Sequence, residues 1–262
     1  MKVLVTRARE AGEKTASRLR QRGYDPVLLP LFENCDTGAA LPETEFDAVA
    51  FTSSAAIHVL AARPADEWSR LLKFPIFCVG EATAQAARDA GFHKTFIGAG
   101  TAADLPGLIL AELAPAETQK SAPPRLLYPA PHDRAFDLAA ALPGVMVSEI
   151  LIYRAEALDP GRKALEAALM SCAGGAALLY SARSAEHLAT LATKHALADR
   201  LAGLTLIAIS ENVARAIAGR GLPDILVSEM PHEDGLFERL DRLDRNGKAS
   251  PRNDEDNEEG HH

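Results

Sequence analysis

Long apolar runs are missing from this 262-residue chain. No stretch approaches the roughly 18 consecutive apolar residues of a membrane helix. The amino terminus, MKVLVTRARE, opens directly into a strand-like sequence with no apolar segment and cleavage site. A signal peptide is therefore not expected, and a cytoplasmic location is. Cysteine is scarce: Cys35, Cys78 and Cys172 are an odd number and form no CxxC pair, which excludes a disulfide framework and a cysteine-rich zinc site. Cys78 and Cys172 lie in apolar or small-residue runs and are expected to be buried free thiols, as suits a reducing compartment. Excess positive charge is also absent. With 28 Lys and Arg against 36 Asp and Glu, the formal net charge is −8, which disfavours a general nucleic-acid binder. The first strand-to-helix turn, TRAREAG, has no GxGxxG, so a dinucleotide fingerprint is lacking. YSARS is not a GxSxG elbow, so a hydrolase has little support.

What is present is an ordinary globular composition, 47% hydrophobic and 24% charged. The length suits one large domain or two of ordinary size, with enough core to need no disulfide or metal. Strand-like and helix-like segments alternate. Strands are expected at 3–5, 26–32, 46–51, 76–79, 95–97, 125–128, 145–156, 176–180, 205–209 and 225–227. Helices are expected between them, among them 13–21, 84–90, 102–113, 135–142, 163–170, 185–193, 213–220 and 234–243. Residues 114–124 read as a loop. Such alternation predicts parallel sheets with helices on both faces, and functional residues at the carboxyl ends of strands.

Two pairs of segments repeat. FTSSAAIHVLA, from Phe51, resembles LYSARSAEHLA, from Leu179, at an offset of 128; FCVGEATAQAARDAGF, from Phe77, resembles IAISENVARAIAGRGL, from Ile207, at an offset of 130. The strand entering Glu33 parallels the one entering Glu156. Two similar α/β lobes follow from this better than one long sheet. Between the repeats lies EILIYRAE, an apolar strand that carries Tyr153, one of only four tyrosines. On its residues alone it is an ordinary amphipathic strand. Small hydroxyl residues follow the strands of each repeat, where loops that open helices offer N–H groups to carboxylates or phosphates. The plainer role for Ser54, Thr83, Ser184 and Ser210 is helix N-capping. Their recurrence in both lobes, facing one cleft, favours a shared anionic ligand. His58 and His187, in the first matched pair of helices, read as helix-surface residues because no HxxxH or carboxylate group accompanies them. His132-Asp133, after RLLYPA, either touches ligand or turns the chain.

The ordered set VTRARE, FTSSAA, VGEATAQAARDAG, IYRAE, YSARSA and ISENVARAIAGRG, from Val3 to about Leu240, resembles the uroporphyrinogen-III synthase family. The resemblance implies two flavodoxin-like parallel-sheet lobes joined by a two-stranded connection, LLPLFE and EILIYRAE. The first lobe is discontinuous, 1–31 plus 155–245; the second is 32–154; 246–262, with its NDEDNEE run, is an acidic disordered tail. It implies a cofactor-free and metal-free lyase, expected to be monomeric, with no nucleic-acid or membrane partner. The implied reaction is cyclisation of hydroxymethylbilane, a linear tetrapyrrole, with loss of water and inversion of the terminal ring. Tyr153 matches the family's functional tyrosine and is implied as proton donor to the leaving hydroxyl. Thr83 and Ser181 match family residues. Thr6, Arg7, Ser53, Ser210 and Asn212 are expected to line the same cleft and hold substrate carboxylates. One departure stands out: where the family's second-lobe loop often carries Gly-Pro-Thr-Thr, this chain has Ser210-Glu211-Asn212-Val213. Asn212 keeps a side-chain hydrogen bond and Val213 does not. Glu211 and Glu81 add negative charge beside a polyanion, or stabilise helix N-termini from outside the cleft. The alternatives are a non-enzymatic bilobal small-anion binding protein and a nucleotide- or flavin-binding α/β enzyme.

Overall fold

The computed structural model describes residues 1–117, 122–133 and 136–249. In chain order the elements begin with β1 (Lys2–Val5), α1 (Arg9–Gln21), β2 (Asp25–Leu28), β3 (Phe32–Asp36), β4 (Ala48–Phe51), α2 (Ser54–Ala61), α3 (Ala65–Leu71), β5 (Ile76–Cys78), α4 (Glu81–Asp89) and β6 (Thr95–Ile97). They continue with α5 (Leu105–Glu117), β7 (Arg125–Pro131), β8 (Met146–Ala157), α6 (Gly161–Ser171), β9 (Ala176–Leu179) and α7 (Ala182–Lys194). The last are α8 (Ala198–Ala202), β10 (Thr205–Ala208), α9 (Glu211–Ile217), β11 (Leu226–Val227) and α10 (Glu233–Ala249). The chain divides into two compact units: Met1–Glu33 with Ala157–His262, and Asn34–Glu156.

The first unit holds a five-stranded sheet in the order β11-β10-β9-β1-β2, with all of its neighbouring strands parallel. Read from the other edge, this is the 2-1-3-4-5 flavodoxin order. Successive strand residues point to opposite faces, so both faces are apolar. Leu4, Ala177, Leu179, Leu206 and Ala208 pack with residues of α6 to α9. Val3, Val5, Ala176, Leu178 and Ile207 pack on the other side with Leu19 of α1 and Leu236, Phe237 and Leu240 of α10. Helix α1 stops at Gly23, whose φ of 83° needs a residue without a Cβ.

The second unit holds a six-stranded sheet in the order β3-β8-β7-β4-β5-β6. The five strands β8-β7-β4-β5-β6 keep the flavodoxin spatial order, but the chain enters them in permuted sequence. β4, β5 and β6 come first here, whereas β1 and β2 come first in the other unit. The matched segments therefore take equivalent places: β4 with β9, β5 with β10, α2 with α7 and α4 with α9. Val49, Phe51, Ile76, Cys78 and Leu127 pack on one face of this sheet with residues of α2, α3 and α4. Ala48, Ala50, Phe77, Leu126 and Tyr128 pack on the other with Leu105, Ile109 and Leu113 of α5.

Four expectations are corrected. The strand expected over 26–32 is two strands, β2 and β3. Pro30 has no N–H to continue a ladder, and the Leu29 and Leu31 N–H groups donate instead to the carbonyls of Val5 and Thr6. Pro26 is accepted in β2 because β2 is the sheet edge. Among the described residues of 135–142 there is no helix: 138–141 form a turn, with the Leu142 N–H on the Ala139 carbonyl. The loop expected over 114–124 begins late, since α5 runs to Glu117, and part of it lies outside the described residues. The tail expected from 246 is helical to Ala249 in α10, and 250–262, with NDEDNEE, lie outside the described residues.

Candidate functional site

In a doubly wound sheet the strand order reverses at one point, and the loops leaving the carboxyl ends of the two strands there diverge to opposite faces. In the second unit this point lies between β7 and β4. Strand β4 feeds Thr52 and Ser53 into α2. Ser53 is extended, with φ −159° and ψ 144°, and its Oγ accepts the Ala55 N–H at 3.1 Å as the N-cap of α2. Thr52 Oγ1 lies 3.1 Å from the Tyr128 hydroxyl of β7. Tyr153 lies on β8 in register with Pro131, the last residue of β7. Its carbonyl accepts the His132 N–H at 2.8 Å.

The Tyr153 side chain is buried at 7% exposure and packs in the cluster of Phe51, Ile57 and Leu127. Burial is the main influence that raises its pKa; a hydrogen bond with the Ser53 side chain lowers it and the neighbouring Tyr128 raises it, for a net rise. At neutral pH it is a protonated phenol, a weak acid able to give a proton and disfavoured as a phenolate. His132 is exposed, with Nδ1 3.0 Å from Asp133 Oδ1. Thr83, the third residue of α4, is buried at 5%. The preceding Gly80 is at the N-cap position after β5. Glu81 is exposed and paired with Arg88.

In the first unit the order reverses between β1 and β9. Thr6 follows β1 and is buried at 1%, its carbonyl accepting the Leu31 N–H at 3.3 Å. The Arg7 guanidinium lies 4.4 Å from the ring centre of Tyr180, which follows β9, so one contact bridges the reversal point. Arg7 Nη1 also donates to Thr15 Oγ1 at 3.1 Å and to Glu233 Oε1 at 3.0 Å. The same Glu233 oxygen accepts from Thr15 Oγ1 at 2.6 Å and from the Tyr180 hydroxyl at 2.9 Å, and its other oxygen accepts from Arg18. Burial by itself would raise the Glu233 pKa, but the hydrogen bonds from Thr15, Tyr180 and Arg18 and the charge of Arg7 hold it below the usual carboxylate range. Burial, and then Glu233, push the Tyr180 phenol up. Glu233 opens α10, and Gly235 two residues on lets this end of the helix pack closely. A Cβ there would stand 2.4 Å from Ser228 Oγ and 2.5 Å from the Met230 carbonyl oxygen.

Ser181 is the N-cap of α7, its Oγ accepting the Ser184 N–H at 3.1 Å, and the residue is exposed. Ser210 holds the matching position before α9, extended at φ −160°, but its side chain makes no capping bond. Asn212 and Glu211 are exposed in the first turn of α9. The capping expectation is thus corrected: the caps are Ser53 and Ser181, while Ser54, Thr83 and Ser184 lie within the helices.

Sequence reasoning placed Tyr153, Ser53 and Thr83 in one unit, and the structure brings the Tyr153 ring and the Ser53 side chain close enough to influence each other there. Thr6, Arg7, Ser181, Ser210 and Asn212 stand at neighbouring strand ends of the other unit. Tyr128, Thr52, Tyr180, Thr15 and Glu233 were missed. A signal existed for two of them: tyrosine is rare in this chain, and Tyr180 sits directly at a strand end while Tyr128 lies in RLLYPA. Glu233 had none, since its partners lie more than 50 residues away in sequence. His58 Nδ1 is 2.6 Å from the Ser54 carbonyl, and His187 Nε2 is 2.8 Å from that of Leu158. His58 thus engages its own helix, and His187 ties α7 to the segment that follows β8. Cys78 and Cys172 are buried free thiols, pushed by burial up to about 12 and about 11. Among the described residues no group of three or more His, Cys, Asp or Glu is placed to hold a metal ion, and no helix is long and apolar enough to cross a membrane.

A family model described as uroporphyrinogen-III synthase HemD matches residues 13–238. No curated protein sequence matches the chain significantly. The structure of uroporphyrinogen-III synthetase from Helicobacter pylori aligns with a TM-score of 0.61 at 17% identity, over 92% of this chain and 99% of that one. At that identity the likeness shows a common fold. The wild-type uroporphyrinogen III synthase of Thermus thermophilus aligns at 20% identity over 95% of this chain and 100% of its own, with a TM-score of 0.40.

Proposed function

The chain belongs to the uroporphyrinogen-III synthase family, cyclising lyases of tetrapyrrole synthesis, and from that premise we propose that it closes hydroxymethylbilane to uroporphyrinogen III with Tyr153 as proton donor. The observation that carries the role of Tyr153 is its buried phenol of raised pKa near the reversal point of the second unit.

The chemistry asks little acid strength of the protein. The pyrrole nitrogen pushes its lone pair toward the hydroxymethyl carbon, the C–O bond breaks, and the oxygen leaves with the bonding pair. A proton from the Tyr153 hydroxyl turns that leaving group into water. The azafulvene electrophile is attacked by the substituted carbon of the terminal pyrrole, giving a spiro intermediate that opens and recloses with the ring inverted. The final closure releases one proton, so Tyr153 regains what it gave and the net change is loss of one water. A phenol with raised pKa is suited to this task, because it stays protonated until the leaving oxygen demands the proton.

The uncatalysed bilane closes without inversion, so selectivity requires that the terminal ring be held near the spiro geometry. Thr83 in the second unit, and Thr6, Arg7, Ser181, Ser210 and Asn212 in the first, are proposed to hold substrate carboxylates. Several of them precede or open helices, where N–H groups and the helix dipole favour anions. Glu81 is partnered by Arg88, which moderates its charge near a polyanion. The working species is proposed to be a single chain, without metal or organic cofactor. Incubation of the purified protein with hydroxymethylbilane and no added metal is expected to yield the type III isomer. Type I product alone, as in an enzyme-free blank, overturns the reading.

A further inference from the structure

We propose that Ser53 is a positioning residue for the Tyr153 phenol, placed to donate a hydrogen bond to it as the phenolate forms, and not a ligand of substrate carboxylate. The proposal rests on the reading of Tyr153 as proton donor. Three features of the second unit converge on it. Ser53 is locked by its own helix: its backbone is extended, and its Oγ accepts the Ala55 N–H at 3.1 Å. A serine hydroxyl has one proton to give and two lone pairs. With one lone pair used by the cap, the proton is free to be donated elsewhere. Tyr153 packs in one cluster with Phe51, which lies two residues before Ser53 and leaves the strand on the same face. It is in register with Pro131 at the end of β7, and β7 lies between β8 and β4. The phenol therefore crosses one strand, roughly twice the interstrand spacing of about 4.8 Å from β8 to β4, to meet the residue that follows β4. From there the Ser53 side chain acts on the Tyr153 phenol and lowers its pKa against the effect of burial. Beside them, Tyr128 and Thr52 form a second pair at 3.1 Å.

This arrangement does two things for the reaction. It restricts the Tyr153 hydroxyl to one orientation, so that its proton is not spent on random partners. It also supplies a donor to the phenolate that remains after the proton has left, in a place where burial disfavours that anion. Donation to an ionised oxygen is a stronger interaction than donation to a neutral phenol, so Ser53 acts more on the transition state than on the resting enzyme. A carboxylate ligand would behave differently, helping substrate and transition state alike.

The test is a kinetic double-mutant cycle read together with tyrosine titration. Ser53→Ala is expected to lower kcat about tenfold with KM within about twofold, and Ser53→Thr to restore most of kcat, since threonine keeps both the cap and the hydroxyl. In the Tyr153→Phe background the serine substitution is expected to cost no further rate. With ζ-13C-labelled tyrosine, the Tyr153 resonance, assigned by its absence from Tyr153→Phe, is expected to titrate at higher pH in Ser53→Ala. Far-UV circular dichroism and urea unfolding of each variant separate loss of the helix cap from loss of the phenol contact. A rise in KM with unchanged kcat, or fully multiplicative effects of the two substitutions, overturns the proposal and makes Ser53 a substrate ligand. An unchanged rate in Tyr153→Phe is a different failure, since it removes the proton-donor reading on which this inference stands.

Discussion

Thr83 and Val213 occupy the same place in the two repeats, each the third residue of a helix that follows a strand, and they are buried to 5% and 4%. Threonine and valine have nearly the same shape. The packing of that position is therefore satisfied by a methyl, and the hydroxyl of Thr83 is spare as far as stability is concerned. Thr83→Val is expected to leave urea stability within about 0.5 kcal/mol, while kcat/KM falls about tenfold through one lost charge-assisted hydrogen bond; equal kcat/KM returns Thr83 to a packing role. Tyr153→Phe removes one oxygen from a buried ring and keeps its apolar contacts. Its type III rate is expected to fall about a hundredfold, the lower range for loss of a general acid, with unfolding unchanged in shape. A rate equal to wild type takes Tyr153 out of the proton transfer and leaves positioning as the whole effect. Such residues were legible in the sequence as types at strand ends. Their pairing was not: Ser53 and Tyr153 are 100 residues apart, and only the order of β8, β7 and β4 makes them neighbours.

At the scale of elements, the first unit is closed at its carboxyl edge by α10. Glu233 gathers donors from α1, from Arg7 two residues after β1 and from Tyr180 directly after β9. Helix α10 was legible as an amphipathic segment, yet its anchoring carboxylate was not, since one glutamate among the many charges of EDGLFERLDRLD carries no mark. Replacing it leaves Arg7 and Arg18 without their shared partner. Glu233→Gln is expected to destabilise the protein by about 2 kcal/mol at pH 7. The pH dependence has a definite sign. The folded pKa of Glu233 is depressed, so its contribution is complete above the unfolded value of about 4.3 and is lost as pH falls through the folded pKa. Urea midpoints of wild type and variant are therefore expected to converge below about pH 4; a gap independent of pH assigns the effect to packing. The turn at 138–141 carries the opposite lesson. AFDLAAAL has helical composition, but Leu138 and Leu142 are both buried against Tyr128 and its neighbours without forming a helix. Tertiary burial outweighed local propensity there.

At the scale of the whole molecule, each unit's buried clusters draw on that unit's own residues. The second unit's two clusters use residues between Leu41 and Tyr153. Residues 34–156 expressed alone are expected to fold, with a single cooperative urea transition and α/β circular dichroism. A featureless gradual transition shows that this unit needs the rest of the chain. The excised unit keeps Tyr153, Ser53 and Thr83 but lacks Thr6, Arg7, Ser181, Ser210 and Asn212, and no cyclase activity is expected from it.

Local sequence determined the alternation of strand and helix, because buried β-branched runs, glycine stops and apolar helix stripes act over a few residues and repeat at nearly constant spacing. It determined the matched helices as well, since the same packing problem has the same solution in β4-α2 and β9-α7. Only the tertiary structure decided that the second sheet keeps the first one's spatial order with its chain entry permuted, that Pro30 splits one expected strand into β2 and β3, and that the rare tyrosines meet Ser53, Thr52 and Glu233. Strand order and hydrogen-bond partnership are set by contacts across the whole chain, and no short window of sequence contains both members of such a contact.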